Sequence, residues 1–283
     1  MADRDSQSGE LELVTDPDEK AKLEALNALR QTKAAMDELQ DWLGAKPPSL
    51  KPSLFLRLHR ILMDRISPYP GVFRPGPMSI SKSEHTPPPA ADVPALIEEL
   101  CDYVNSHWQS KSALHLASYI LWRTNWVHPF ADGNGRTARI VSYLILCAHT
   151  RTELPGTPTI PEQIAAGKQP YYHALEAADQ AFRRGIINVS AIENLLETCL
   201  ARQLVGFFKT AGGRTDDISD DIRSEIDEAI QAAQREGVLD RDAKPILPSL
   251  ERRGLVNWIE RHPVIVGLIG TLVIAALGWL FGR

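Results

Sequence analysis

The sequence has few cysteines and no excess of positive charge. Among its 283 residues only three are cysteine, Cys101, Cys147 and Cys199, which are odd in number, far apart and set in apolar surroundings. This pattern predicts buried, reduced thiols and argues against a disulfide-stapled secreted domain. The formal net charge is −5, so no global basic field indicates nucleic acid as a partner.

Metal-binding spacings and an apolar leader are also missing. The chain contains no His-Glu-x-x-His and no Cys/His ligand spacing, so no zinc site is predicted. The polar start, Met-Ala-Asp-Arg-Asp-Ser-Gln-Ser, lacks the apolar core of a signal peptide, and we expect no secretory leader. With 43% hydrophobic and 24% charged residues, the composition is that of a globular protein with a sizeable core.

What the sequence does contain is a dense group of polar residues between two apolar, helix-like runs. The runs cover 114–127 and 138–148, and the segment that joins them reads HPFADGNGRTAR from position 128 to 139. Its Gly-Asn-Gly turn can expose consecutive backbone N–H groups, which form a concave anion site with the start of the second helix. Arg136 and Arg139 are three residues apart, so both project from one face of that helix.

Two more side chains in this segment suit phosphate transfer. Asp132 can hold a hard cation that bridges phosphates. His128 has an ordinary pKa that suits proton transfer near neutral pH. Each feature alone has a structural explanation, but a base, a metal carboxylate, an anion site and two guanidinium groups together predict a phosphate-transfer site.

The segment resembles the signature of the Fic family, His-Pro-Phe-x-Asp/Glu-Gly-Asn-Gly-Arg-x-x-Arg, at every specified position. The resemblance covers about residues 23–204. It implies an all-α, Fic-type helical bundle that carries a short β-hairpin flap. It also implies transfer of AMP from ATP to a Ser, Thr or Tyr hydroxyl of a target protein, with pyrophosphate released. ATP would be the co-substrate and Mg²⁺ the cofactor.

The resemblance assigns roles to the residues of the motif. His128 would act as the general base, Asp132 would hold the magnesium ion, and Phe130 would anchor the loop from below. The residues expected to bind the nucleotide are Asp132, Gly133, Asn134, Gly135, Arg136, Thr137 and Arg139.

A turn-rich stretch, residues 67–94, corresponds to the flap of the family. A Met-Ser-Ile-Ser alternation there is typical of a short strand or hairpin, although a proline-rich surface loop explains these residues equally well. In Fic proteins the flap clamps the target segment beside the nucleotide, so the target is expected to dock on residues 78–89. Ile80, Ser81 and Lys82 are then predicted to border the nucleotide.

A later helix is expected to border the adenine. It contains Tyr171 and Tyr172, and Asp179 follows seven residues after the second tyrosine, a form known in Fic proteins. Adjacent aromatic rings can stack on or edge a base. Without the resemblance, simple packing of the two tyrosines explains them about as well.

Two other kinds of function stay open at this point. The same scaffold could transfer UMP, phosphate or phosphocholine, since the motif does not decide which part of the nucleotide faces the target. The chain could also be a membrane-bound interaction module with a non-catalytic nucleotide site, although such a module has no need of His128.

Many Fic proteins are inhibited by a helix bearing Ser/Thr-x-x-x-Glu-Gly/Asn, and no match to that pattern is evident. Regulation by an antitoxin-like partner and substrate-gated activity therefore both stay open.

The domain organisation follows from composition. We expect disorder over 1–15, the Fic domain over 16–210, an acidic helix and linker over 211–262, and a single transmembrane helix over 263–281. The last segment is a charge-free apolar run of about 18 residues from Val264 to Phe281. As a helix the run would be roughly 27 Å long, which is enough to cross a thin bilayer.

The apolar run is expected to act as a tail anchor in a bacterial-type inner membrane, with the catalytic domain in the cytoplasm. Three arginines lie in the residues before it and only Arg283 follows it, which favours this orientation.

Deleting residues 264–283 should move the protein from the membrane fraction to the soluble fraction. Protease should digest the Fic domain in inverted vesicles and not in intact cells. The intact chain in the soluble fraction, or digestion of that domain from outside, would contradict the prediction.

Overall fold

The computed structural model describes residues 6–7, 13–44 and 49–212, and these are mainly helical. The helices are α1 (Pro17–Gly44), α2 (Pro52–Leu62), α3 (Val93–Ser106), α4 (Ala113–Val127), α5 (Asn134–Thr150), α6 (Ile160–Ala166), α7 (Lys168–Phe182) and α8 (Ser190–Gly212), with a 3-10 turn at Ala90–Asp92. Two short strands complete the described residues, β1 (Ser6–Gln7) and β2 (Ser79–Ile80). The helical fold class predicted from the sequence is confirmed.

The first helix begins at a capping aspartate that is followed by a proline. The Asp16 carboxylate accepts a hydrogen bond from the backbone N–H of Glu19 at 2.8 Å, and Pro17 occupies the first helical position. This arrangement satisfies one of the free N–H groups of the first turn, and the proline has no N–H that would need a partner. The helix ends at Gly44.

Helices α4 and α5 form the centre of the bundle. Both are apolar on nearly every face, and most of their residues are buried. A helix of this kind must be surrounded by other elements, and α1, α2, α3, α6 and α7 pack against one or both of them. The loop that joins α4 to α5 is therefore held between packed helices at both of its ends.

The chain divides into two compact units, one with residues 1–155 and 159–199 and the other with 156–158 and 200–283. In the second unit Gly156 has a φ of 96°, and a Cβ there would lie 2.2 Å from the carbonyl oxygen of Gln203. Only glycine can fit at that position. The site described below lies wholly in the first unit.

The flap differs from the predicted hairpin. Strand β2 pairs antiparallel with β1, so that Ser6 lies opposite Ile80 and Gln7 opposite Ser79. The strand was predicted correctly, but its described partner comes from the N-terminal segment, for which the sequence predicted disorder. Local alternation of side chains can indicate a strand, whereas it carries no information about which distant segment satisfies that strand's backbone groups.

All three cysteines are buried and free, as predicted. Burial raises the pKa of Cys101 to about 12, and the pKa of Cys147 is also raised to about 12 by its burial. Both thiols are therefore protonated and unreactive at neutral pH.

Within the described ranges, no helix has the length and apolar character needed to cross a membrane. The run from Val264 to Phe281 and the acidic segment from position 213 onward lie outside the described residues.

Candidate active site

The loop between α4 and α5 turns at two residues with left-handed backbone conformation. His128 ends α4 with a φ of 51°, and Gly133 precedes α5 with a φ of 77°. A Cβ at Gly133 would lie 3.0 Å from the Sδ atom of Met63, so both the conformation and the packing favour glycine. A left-handed histidine is uncommon and costs about 1–3 kcal/mol, which the surrounding contacts must offset. Gly135 lies inside the first turn of α5 and needs no such conformation.

The side chain of Asn134 closes the loop. Its Oδ1 atom accepts a hydrogen bond from the Phe130 N–H at 2.8 Å, and its Nδ2 donates to the Phe130 carbonyl at 2.7 Å. The residue is only 1% exposed. Both ends of its amide are thus engaged by the loop backbone, and its expected part in nucleotide binding stays a prediction.

His59 on α2 supports the loop from below. Its ring stacks on Phe130 with centroids 3.7 Å apart and planes 4° from parallel. The Nδ1 atom accepts a hydrogen bond from the Gly71 N–H at 3.0 Å, so Nε2 carries the proton and donates to the Asp132 carbonyl at 3.0 Å. Burial lowers the pKa of His59 to about 4. The ring is therefore neutral at pH 7, as this pair of hydrogen bonds requires.

His128 is buried with one ring nitrogen committed to the backbone. Its Nδ1 atom lies 3.1 Å from the carbonyl oxygen of Asn125. A carbonyl can only accept, so Nδ1 carries the proton and Nε2 presents a lone pair to the cavity. Burial is the main cause that lowers the pKa of His128 to about 4, and the nearby His85 and Arg74 add to it. The ring is accordingly a neutral acceptor at physiological pH.

Arg74 holds the backbone around His128 and was not singled out by sequence analysis as a functional residue. Its Nε donates to the His128 carbonyl and its Nη1 to the Gly76 carbonyl, both at 2.8 Å, while Nη2 donates to the Pro88 carbonyl. The backbone N–H of Arg74 also donates to the Pro129 carbonyl at 2.8 Å. One buried guanidinium thus ties the loop to the flap region at three carbonyl groups.

A cavity of about 800 Å³ opens in front of His128 and the start of α5. This volume is in the range of small-ligand sites. Predicted site residues that line it are Ile80, His128, Asp132, Gly133, Asn134, Gly135, Arg136, Arg139, Tyr171, Tyr172 and Asp179. The cavity lining does not include Ser81, Lys82 or Thr137. Thr137 is fully buried in α5.

Carboxylates surround the first motif arginine. Arg136 lies 3.0 Å from Asp132 and 3.0 Å from Glu24 of α1, and all three residues line the cavity. Asp132 has 52% of its side chain exposed, which leaves it accessible to a ligand. Among the described residues no group of three His, Cys, Asp or Glu side chains forms a metal cluster.

Two of the three residues predicted to border the adenine are hydrogen-bonded to neighbours in α4. The Tyr171 hydroxyl accepts a hydrogen bond from Asn125 at 2.7 Å, and Asp179 accepts one from the indole N–H of Trp122 at 2.8 Å. The rings of Tyr171 and Tyr172 are 5.8 Å apart. These three predicted residues follow the motif by about forty positions in the chain, and the structure brings them to the same cavity.

Comparison with known proteins identifies the family. The model of the Fic/DOC family matches residues 49–146, which contain the whole motif. The chain contains a Fic/DOC domain. The protein named "Protein adenylyltransferase Fic" from Drosophila willistoni is 31% identical over 140 residues, which are 48% of this chain and 26% of that protein. The match thus spans about a quarter of the length of this curated relative.

Solved structures of Fic proteins share the fold. A Fic domain containing signaling protein from Bacteroides thetaiotaomicron aligns with a TM-score of 0.58 and 21% identity over 71% of this chain and 76% of that one. A Fic family protein from Desulfovibrio desulfuricans aligns with a TM-score of 0.50 and 20% identity over 87% of this chain and 65% of that one. At these identities the likeness concerns the fold of the Fic domain alone.

The buried His59 should make the stability of the Fic domain depend on pH. Its pKa is about 4 in the folded chain and about 6.5 when unfolded. Its contribution is thus complete above pH 6.5 and is lost as pH falls towards 4. From pH 7 to pH 5 the loss is about 2 kcal/mol of unfolding free energy. In urea titrations at both pH values, the unfolding free energy of His59→Asn should fall by correspondingly less than that of the wild type.

His173→Asn is the matched control, because it makes the same replacement at an exposed position on α7. It should keep the pH dependence of the wild type. An equal loss of stability between pH 7 and pH 5 in His59→Asn and the wild type would contradict the burial of a neutral His59.

Proposed function

We propose that this Fic protein is a protein adenylyltransferase that transfers AMP from ATP to a Ser, Thr or Tyr hydroxyl of a protein. The observation that carries the proposal is the lone pair of His128 Nε2, which faces a cavity bounded by the start of α5. The name of the Drosophila willistoni relative supports AMP over UMP, phosphate or phosphocholine as the transferred group.

His128 would act as the general base. Its Nε2 would take the proton of the attacking hydroxyl, whose oxygen forms the new bond to the α-phosphorus as the bond to diphosphate breaks. The hydrogen bond from Nδ1 to the Asn125 carbonyl holds the ring in the tautomer that this step needs. A bound triphosphate brings negative charge close to the ring and would raise the pKa of His128 from its low value.

The start of α5 would stabilise the charge of the phosphates. The N–H groups of the first helical turn have no partner within the helix, and the helix dipole adds partial positive charge there. Arg136 and Arg139 line the cavity at the same end of α5. We expect phosphate oxygens to draw Arg136 away from Glu24, since a triphosphate offers a guanidinium more charge than one carboxylate does.

Asp132 fits a role as ligand for Mg²⁺. It is the carboxylate of the motif that lies beside the expected phosphates, and it is half exposed to the cavity. Magnesium in nucleotide sites is usually held by one or two carboxylates and by the phosphates themselves. The metal would neutralise charge on the triphosphate when bound. Tyr171, Tyr172 and Asp179 would border the adenine at the other end of the cavity.

The apolar run at 264–281 would anchor the Fic domain at the cytoplasmic face of the inner membrane. Target proteins near that membrane would be favoured by their raised effective concentration. An antitoxin-like regulator would bind the same domain.

Replacing the base should separate chemistry from binding. With [α-³²P]ATP, Mg²⁺ and a cell lysate, His128→Ala should lower the rate of label transfer to protein by at least about 10²-fold. Calorimetry should show its affinity for ATP roughly unchanged, because the base acts in the chemical step. The exposed His173→Ala is the matched control and should behave as the wild type.

The position of the label identifies the transferred group. Label from [α-³²P]ATP and none from [γ-³²P]ATP is expected for AMP. Label from the γ-position would instead indicate phosphate transfer. An affinity for ATP that collapses together with turnover in His128→Ala would show that His128 is not the general base.

A further inference from the structure

Strand β1 brings a serine of the chain's own N-terminal segment into the cavity. Ser6 lies opposite Ile80 in the β1–β2 pair. Its Oγ atom is 3.0 Å from Nε2 of His128 and is partly buried. Ser6 lines the same cavity as Asp132 and Arg136. The hydroxyl therefore occupies the position in which an acceptor of the transferred group would sit.

The hydrogen bond between Ser6 and His128 has a defined direction. Because Nδ1 of His128 carries the proton towards the Asn125 carbonyl, Nε2 can only accept. The Ser6 hydroxyl is then the donor. A hydroxyl that donates to an unprotonated imidazole nitrogen at 3.0 Å has the geometry that general-base catalysis requires.

The backbone around Ser6 is also arranged as a docked acceptor would be. An extended segment that adds to the edge of a short strand is a recurrent way for proteins to bind peptides. The pairing of Ser6 with Ile80 and of Gln7 with Ser79 uses β2 in this way. The register of the pair sets which residue reaches the base, and in this register the residue is Ser6.

We propose that Ser6 is an acceptor for the group that this enzyme transfers, so that the chain adenylylates itself. The inference rests on the adenylyltransferase function proposed above. The Oγ atom of Ser6 forms a bond to the α-phosphorus of ATP, and the bond from that phosphorus to the diphosphate oxygen breaks. The hydroxyl proton goes to Nε2 of His128. The products are an AMP ester of Ser6 and diphosphate.

The reaction is intramolecular. Ser6 and His128 belong to the same compact unit of one chain, and only the residues 8–12 separate β1 from the described start of the helical body. Tethering of this kind gives an effective concentration on the order of millimolar. The rate constant for labelling Ser6 is therefore independent of the protein concentration, whereas labelling between molecules would rise with it.

The test uses the purified full-length chain with [α-³²P]ATP and Mg²⁺, followed by peptide mass spectrometry. The expected result is AMP on Ser6, at a rate constant that does not change when the protein is diluted. Ser6→Ala removes this label completely. Ser6→Thr retains a hydroxyl at this position and is labelled. The control Ser8→Ala is labelled as the wild type is. His128→Ala lowers it by at least about 10²-fold.

Each other outcome has a separate meaning. Label on lysate proteins with none on Ser6 overturns the self-modification and leaves the proposed function intact. Label on neither the chain nor the lysate overturns both. Unchanged labelling of the chain in Ser6→Ala, or a rate constant that rises with protein concentration, also overturns the inference, because the acceptor is then another residue or another molecule.

Discussion

The hydrogen bond from Nδ1 of His128 to the carbonyl of Asn125 is the interaction on which the rest of the site depends. It commits one ring nitrogen to the backbone and leaves the other as a lone pair at the cavity. Burial keeps the ring neutral by lowering the pKa of His128 to about 4. The uncommon left-handed backbone at this residue is held from outside, where Arg74 binds the His128 carbonyl.

Much of the site could be predicted from the sequence, because the motif residues are contiguous and their types are chemically restrictive. The two apolar, helix-like runs on either side of the motif also predicted α4 and α5. The roles of His59 and Arg74 could not be predicted in this way. Each acts on the loop from more than fifty positions away, through backbone carbonyls whose placement depends on the packing of α2 and the flap region.

Asn134 and Thr137 show a second reason why sequence patterns fall short. Membership of a motif does not show which face of the backbone a side chain takes. The Asn134 amide turns inward to hold Phe130, and Thr137 is buried in α5. The partner of β2 was equally hidden, because two residues of β1 carry no pattern that distinguishes them from the polar segment around them. Pairing of distant strands is decided by backbone hydrogen bonds and chain geometry, to which local composition contributes little.

The central claim is that His128 is a neutral base whose unprotonated Nε2 faces the cavity. Nuclear magnetic resonance of the full chain with ¹⁵N-labelled histidine, titrated from pH 8 to pH 4, measures this state directly. The account predicts a protonated Nδ1 and an unprotonated Nε2 over most of that range, with a pKa of about 4 for His128. A proton on Nε2 at neutral pH, or a midpoint near the ordinary histidine pKa of about 6.5, would contradict it.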